Sequence, residues 1–303
     1  MSTYGLPVLY VLLMWWVSTG VVLYLDGLPR RTHRWSLLGA TAVALVALYG
    51  LTLSSREVSV SGAFVAFTGA MLVWGWLELS FLTGIATGPR KHSCAESCAG
   101  WRHFLHAVEA ILYHELALIG GAALIAVATW DRPNEVGIWT FLILWGMRAS
   151  AKLNLFLGVR NLSEEFLPEQ LQYLKSFFSC KPMNLLFPVS VTVSTVIGTL
   201  LLQVALADDA TAFEVAGFTL LATLMGLAVL EHWFLVLPVP ANELWRWGLR
   251  WRTMDKRFKA RRGDELKLEI AERTALLQPE PIAVCGAERD REHDTTRGGW
   301  RRD

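Results

Sequence analysis

Seven runs of mostly apolar residues, each long enough to cross a bilayer, fill the chain between residues 6 and 239. A helix spanning the hydrocarbon needs roughly 20 such residues, because lipid offers no hydrogen-bond partners and each residue advances only about 1.5 Å. The runs are Leu6–Leu25, Ser36–Leu53, Val60–Gly84, His103–Trp130, Val136–Gly158, Met183–Ala207 and Ala212–Val239. A membrane β-barrel would show shorter segments alternating with period two; these runs are longer and do not alternate. Charged residues make up 18% of the chain, against about 25% in a soluble domain, and they gather in the loops and after residue 240. The expected fold class is therefore an all-α integral membrane protein, a bundle of about seven transmembrane helices in residues 1–240. Residues 241–278 read as a basic, amphipathic cytoplasmic tail, and residues 279–303 as a disordered one.

The first run is a retained helix and not a secretory signal, since MSTYG before it carries no charged side chain and Arg30, Arg31 and Arg34 follow it. Loop charge then sets the orientation. Arg30, Arg31 and Arg34 stand between runs 1 and 2, Arg90, Lys91 and Arg102 between runs 3 and 4, and Arg160, Lys175 and Lys181 between runs 5 and 6. The intervening loops hold Arg56, Arg132 and no basic residue, respectively, while the segment after run 7 is densely basic. The positive-inside rule places the N-terminus in the periplasm and the C-terminus in the cytoplasm. Pro168–Phe178 reads as an interfacial helix, with Leu171, Leu174, Phe177 and Phe178 at helical spacing. Leu244–Arg262 interleaves Trp245, Trp247, Trp251 and Phe258 with basic residues, which suits either an anionic leaflet or simple termination of the last span.

Ionisable side chains inside hydrocarbon are expensive, so each needs a partner or a purpose. The runs hold Glu78, His106, Glu109, His114, Glu115, Arg148, Lys152, Asn154, Glu231 and His232, with His103 at a border. Counted inward, groups from runs 3, 4, 5 and 7 reach a common depth of roughly 6–10 Å below the cytoplasmic surface. This inner-half cluster is the candidate site. Four readings of it stay open. Arg148 and Lys152 can neutralise two of the glutamates and tie helices together. Glu and His together can hold iron or zinc, as in carboxylate-bridged bundles. His114 or His232 can ligate the magnesium of a chlorin or a haem iron. The cluster can pass protons or ions, although the outer half lacks the polar groups that passage requires.

A second, weaker metal candidate lies in the loop between runs 3 and 4, where His92, Cys94 and Cys98 are close in sequence but no second ligand pair follows at a zinc spacing. All four cysteines, with Cys180 and Cys285, fall on the cytoplasmic side, where thiols stay reduced. No Walker, GxGxxG, nucleophile-elbow or HExxH motif is present, and nothing points to nucleic acid.

Several unusual segments occur in one order: Trp15-Trp16-Val-Ser-Thr-Gly, Leu25-Asp26-Gly27-Leu28-Pro29, Trp74-Gly75-Trp76-Leu-Glu78, Thr87-Gly88-Pro89-Arg90, Gly100-Trp101-Arg102, Tyr113-His114-Glu115-Leu116, Lys152-Leu153-Asn154, Asn161-Leu-Ser-Glu164-Glu165, Pro182-Met-Asn184-Leu-Leu-Phe-Pro188 and Glu231-His232-Trp233. The chain in this respect resembles the PuhE family of photosynthetic complex assembly proteins of purple bacteria. The resemblance implies a multi-pass protein of the bacterial inner or intracytoplasmic membrane, encoded near the reaction-centre H-subunit gene. It also implies a role in assembling the reaction centre and antenna, with their subunits and bacteriochlorophyll as partners beside the lipid bilayer. It brings no catalytic residue and no cofactor with it. A membrane enzyme acting on a pigment intermediate through the Glu/His cluster and a metal is the alternative.

Overall fold

Local capping and hydropathy together set where the helices begin. Ser59 Oγ accepts the Gly62 N–H at 3.0 Å and starts the helix at Val60. Thr211 and Glu214 form a reciprocal capping box ahead of the helix that begins at Ala212. Asn184 Oδ1 accepts the N–H groups of Leu186 and Phe187 and so caps the helix that begins at Leu186. The structure, a computed structural model, describes residues 2–249 apart from Glu96, Ser163 and Pro240. The chain divides into two units, residues 1–254 and 255–303, and the described residues all belong to the first. The expected tail, residues 241–278 and 279–303, therefore lies outside the described residues except for its start, as does Cys285.

Seven long helices follow in order: α1 (Ser2–Gly27), α2 (Arg30–Ser54), α3 (Val60–Leu82), α4 (Gly100–Ala128), α5 (Val136–Leu157), α6 (Leu186–Ala205) and α7 (Ala212–Phe234). Each falls on one of the seven apolar runs. Six of them, all but α5, are long and apolar enough to cross a membrane. At 22 residues α5 is about 33 Å long, which is sufficient in length. It differs from the others in carrying Arg148, Lys152 and Asn154 in its second half. The described residues contain no strand, only an isolated bridge between Val159 and Cys180.

Burial distinguishes centre from rim. About half of α3 (50%) and α7 (56%) is buried, so these two helices form the middle of the bundle, and the other candidate spans surround them. The main core joins Leu51, Phe67, Leu118, Ile125, Phe141 and Leu220 from five helices. Outward-facing apolar side chains such as Leu45, Val46, Val127 and Leu185 are exposed along the rim. In a soluble protein such a belt would be an aggregation surface; against lipid it is the expected exterior.

Two sequence expectations change here. The segment read as an interfacial helix is a 3-10 helix, Glu169–Phe177, and its apolar residues Leu171, Leu174 and Phe177 pack on Phe81, Leu82 and Ala110. Its apolar face is covered by the chain's own helices and not by lipid. The described start of the tail also turns inward. Trp245 is buried edge-to-face against Trp15 at 4.9 Å, and its Nε1–H donates to the Trp16 carbonyl. The Trp247 ring lies directly on Gly20, where any side chain would collide with it. These two tryptophans therefore grip α1.

Candidate functional site

The polar residues of α3, α4, α5 and α7 separate into two groups, because the loop after α3 folds back over the beginning of α4. Gly88 makes that fold possible: a Cβ there would overlap the Glu109 carbonyl oxygen. Next to it, the His114 backbone N–H donates to the Thr87 carbonyl at 2.9 Å. The first three turns of α4 are thereby placed beside the loop, with Ala107, Ala110 and Ile111 turned inward and Glu109 turned toward Arg90.

The interior group is made of cross-helix pairs. Arg148 Nη2 donates to Glu78 Oε2 at 2.9 Å, and Glu78 Oε1 lies 3.7 Å from Nε2 of the fully buried His114. Lys152 Nζ donates to Glu115 Oε1 at 2.6 Å. Arg148 and Lys152 are one turn apart on α5, so α5 is tied to α3 through one cation and to α4 through the other. Trp15 Nε1–H donates to Glu231 Oε1 at 2.6 Å and links α1 to α7. His232 Nδ1 donates to the Ala228 carbonyl, and its Nε2 lies 2.9 Å from Ser150 Oγ, whose hydroxyl donates to Ser190 Oγ. Ser150 and Ser190 hydroxyls lie 2.9 Å apart, and Asn154 donates to the Ser150 carbonyl and accepts from Asn184. Trp15, Ser150, Ser190 and Asn184 were not legible as partners in the sequence, since none is charged. The signal that was available is weak: a Trp one helix away at matching depth.

These groups border a cavity of about 430 Å³ between α1, α3, α4, α5 and α7. Its walls are mainly apolar and aromatic, with Trp15, Trp74, Phe81, Phe156, Phe166 and Trp245 among them. Glu78, Arg148, Lys152, Glu231 and His232 supply the polar part. Glu231 is exposed toward this space, whereas His114 is not on its surface.

The loop-side group holds the remaining candidates. Glu109 is half exposed and pairs with Arg90 at 3.7 Å, so it neutralises a loop cation instead of joining the interior cluster. His103 stacks between Phe156 and Phe177, with ring centroids 5.4 Å from each. His106 Nδ1 lies 3.3 Å from both Cys94 Sγ and Cys98 Sγ. The sequence reading grouped Cys94 and Cys98 with His92; that is corrected, because His92 is exposed and the three ligand atoms that converge are those of Cys94, Cys98 and His106. The sequence places His106 with the interior cluster instead, because its position in an apolar run suggests a membrane depth. The hydrogen bond with Cys94, and then partial burial, push the Cys98 thiol above its usual value, while Arg102 and Arg90 pull against that shift. Burial likewise raises the Tyr173 hydroxyl on the 3-10 helix. Among the described residues, the interior Glu/His group brings no three metal ligands together.

Fold and site together define a multi-pass helical membrane protein with a polar-edged interior cavity. The chain belongs to the family described as protein of unknown function (DUF3623), whose model matches residues 1–256. It is also 42% identical over 253 residues to the "Uncharacterized 30.4 kDa protein in puhA 5'region" of Rhodobacter capsulatus, a match covering 82% of this chain and 92% of the relative. No solved structure matches the chain significantly.

Proposed function

We propose that this protein is a bacterial inner-membrane factor that assists assembly of the photosynthetic reaction centre and antenna, and that its cavity holds an amphiphilic, pigment-class ligand in the process. The cavity carries the reading. A factor that only clamps protein partners needs no interior space, whereas apolar, aromatic walls with a few convergent polar groups are the usual form of a small-molecule site. Flat indole and phenyl faces suit a conjugated ring. Glu231 is the exposed carboxylate of the lining, and His232 is a wall imidazole whose Nε2 is held by Ser150 behind the cavity surface. The place of the relative in the puhA 5' region agrees with the photosynthetic setting that the family resemblance implies.

On this reading α5 is a seventh span, and residues 1–240 form the membrane domain with a periplasmic N-terminus and a cytoplasmic tail. Arg148 and Lys152 enter the hydrocarbon because Glu78 and Glu115 neutralise them there. The metal-dependent enzyme is not adopted, since the carboxylates it would need are bound to Arg148, Lys152 and Trp15.

The test is complementation in a purple bacterium lacking its own family member. Reaction-centre and antenna absorption per membrane protein should fall in the deletion strain and return with the wild-type gene. It should not return with Ala151→Phe, which places a ring in the cavity. Undiminished complexes in the deletion strain would end the proposal.

A further inference from the structure

The loop ahead of α4 and the first turns of α4 bring two thiols and one imidazole to a point. Cys94 Sγ and Cys98 Sγ each lie 3.3 Å from His106 Nδ1, and the three atoms all fall within 4.8 Å of one another. The chain is built to hold them there. The Cys98 N–H donates to the Ala95 carbonyl at 2.9 Å and closes a turn that returns the second thiol to the first. Gly100, at φ 64°, then swings the chain into α4 through a conformation that a side chain would strain. His106 follows on the second turn of that helix. From the other side, the Cys94 N–H donates to Ser176 Oγ at 3.0 Å and ties the loop to the 3-10 helix. All three residues are half-buried, so they are shielded yet reachable.

We propose that Cys94, Cys98 and His106 bind one zinc-class divalent ion through two thiolates and Nδ1, with a fourth coordination position left open. The spacing fits. Zn–S bonds of about 2.3 Å and a Zn–N bond of about 2.05 Å at a tetrahedral angle put sulfur and nitrogen about 3.6 Å apart, so each sulfur–nitrogen separation needs to open by only about 0.3 Å. The donor set is selective as well. Thiolate and imidazole favour zinc over magnesium or calcium, which take oxygen. Binding displaces one proton from each thiol, and the two resulting negative charges cancel the charge of the ion. Three protein ligands with one free position is the pattern of zinc sites that accept an exchangeable group, in contrast to closed four-ligand structural sites. The bound ion would also fasten the α3–α4 loop to α4. The inference is independent of the cavity and of any role in photosynthesis.

The experiment uses full-length protein in mild detergent with a non-thiol reductant. Zinc is measured by elemental analysis, and cobalt(II) is titrated into metal-free protein. Wild-type protein should carry about one zinc per chain and give thiolate-to-cobalt charge-transfer bands with intense tetrahedral visible bands. Cys94→Ser, Cys98→Ser and His106→Ala should each weaken binding by about 100-fold or more, since even indirect support of a ligand commonly contributes 10–100-fold. Cys180→Ser should bind as wild type does. Two results overturn the proposal without relying on any variant that fails to fold. One is wild-type protein that shows no cobalt–thiolate bands. The other is a Cys94–Cys98 disulfide in protein alkylated directly in membranes, which would make the pair redox-active instead.

Discussion

Replacing Glu78 with Gln should destabilise the protein more than replacing both Glu78 and Arg148. Arg148 Nη2 and Glu78 Oε2 are 2.9 Å apart, and the Glu78 side chain is only 12% exposed, against 39% for Arg148. Two unit charges about 4 Å apart at an effective dielectric of 20 attract by about 4 kcal/mol. Desolvation offsets much of that in the intact protein, but Glu78→Gln leaves the guanidinium beside a mainly apolar cavity without its hydrogen-bonded carboxylate, with Glu231 as the remaining acidic group on that cavity. Removing one partner of a buried pair typically costs about 3–5 kcal/mol. The open side of Arg148 lowers this to about 2–3 kcal/mol, or a factor of roughly 30–150 in the unfolding equilibrium. Glu78→Gln/Arg148→Gln removes both charges and should return to within about 1 kcal/mol of wild type. Reversible unfolding in SDS–detergent mixtures, followed by tryptophan fluorescence, measures all four corners of the cycle. If the double variant loses the sum of the single losses, the two residues are uncoupled and the account of α5 given above is wrong.

Trp15→Phe keeps the ring against Trp245 but loses the N–H that Glu231 accepts; SDS unfolding should register a loss of about 1–2 kcal/mol. Gly88→Ala should cost about 3 kcal/mol or more, because the added carbon meets rigid backbone at Glu109; limited proteolysis of the α3–α4 loop should accelerate with it. If α5 crosses the membrane, the number of spans is odd, so a reporter fused after residue 303 reads cytoplasm and one fused at residue 2 reads periplasm. Both reporters reading one compartment would remove α5 from the spans.

The helices were legible because bilayer thickness imposes a length, and hydropathy alone reveals it: every apolar run contains one long helix. The same count grouped Glu78, Glu109 and Lys152 at one depth, yet the pairs that form are Arg148–Glu78 and Lys152–Glu115, while Glu109 pairs with Arg90 of the loop. The rotation of each helix was not legible. In a soluble helix an apolar stripe marks the inward face, but here lipid and core are both apolar, so nothing in α1 distinguishes the face that carries Trp15. The folding-back of residues 83–99 was hidden for a different reason. It depends on one missing Cβ at Gly88 and on a backbone bond from His114 to Thr87. That fold takes His103, His106 and Glu109 out of the interior group and gives His106 to the thiols. The grip of Trp245 and Trp247 on α1 was masked by the basic residues around them, which suggested a membrane surface.

As a ligand site, the cavity between α1, α3, α4, α5 and α7 should be occupied in protein taken from its native membrane. The most direct measurement is the absorption spectrum and extracted pigment content of the protein purified in mild detergent from a photosynthetic host. The account predicts a chlorin-type chromophore near one per chain in wild-type protein, and its loss from folded Ala151→Phe protein. Folded wild-type protein without stoichiometric chromophore, or equal chromophore in both proteins, would contradict it.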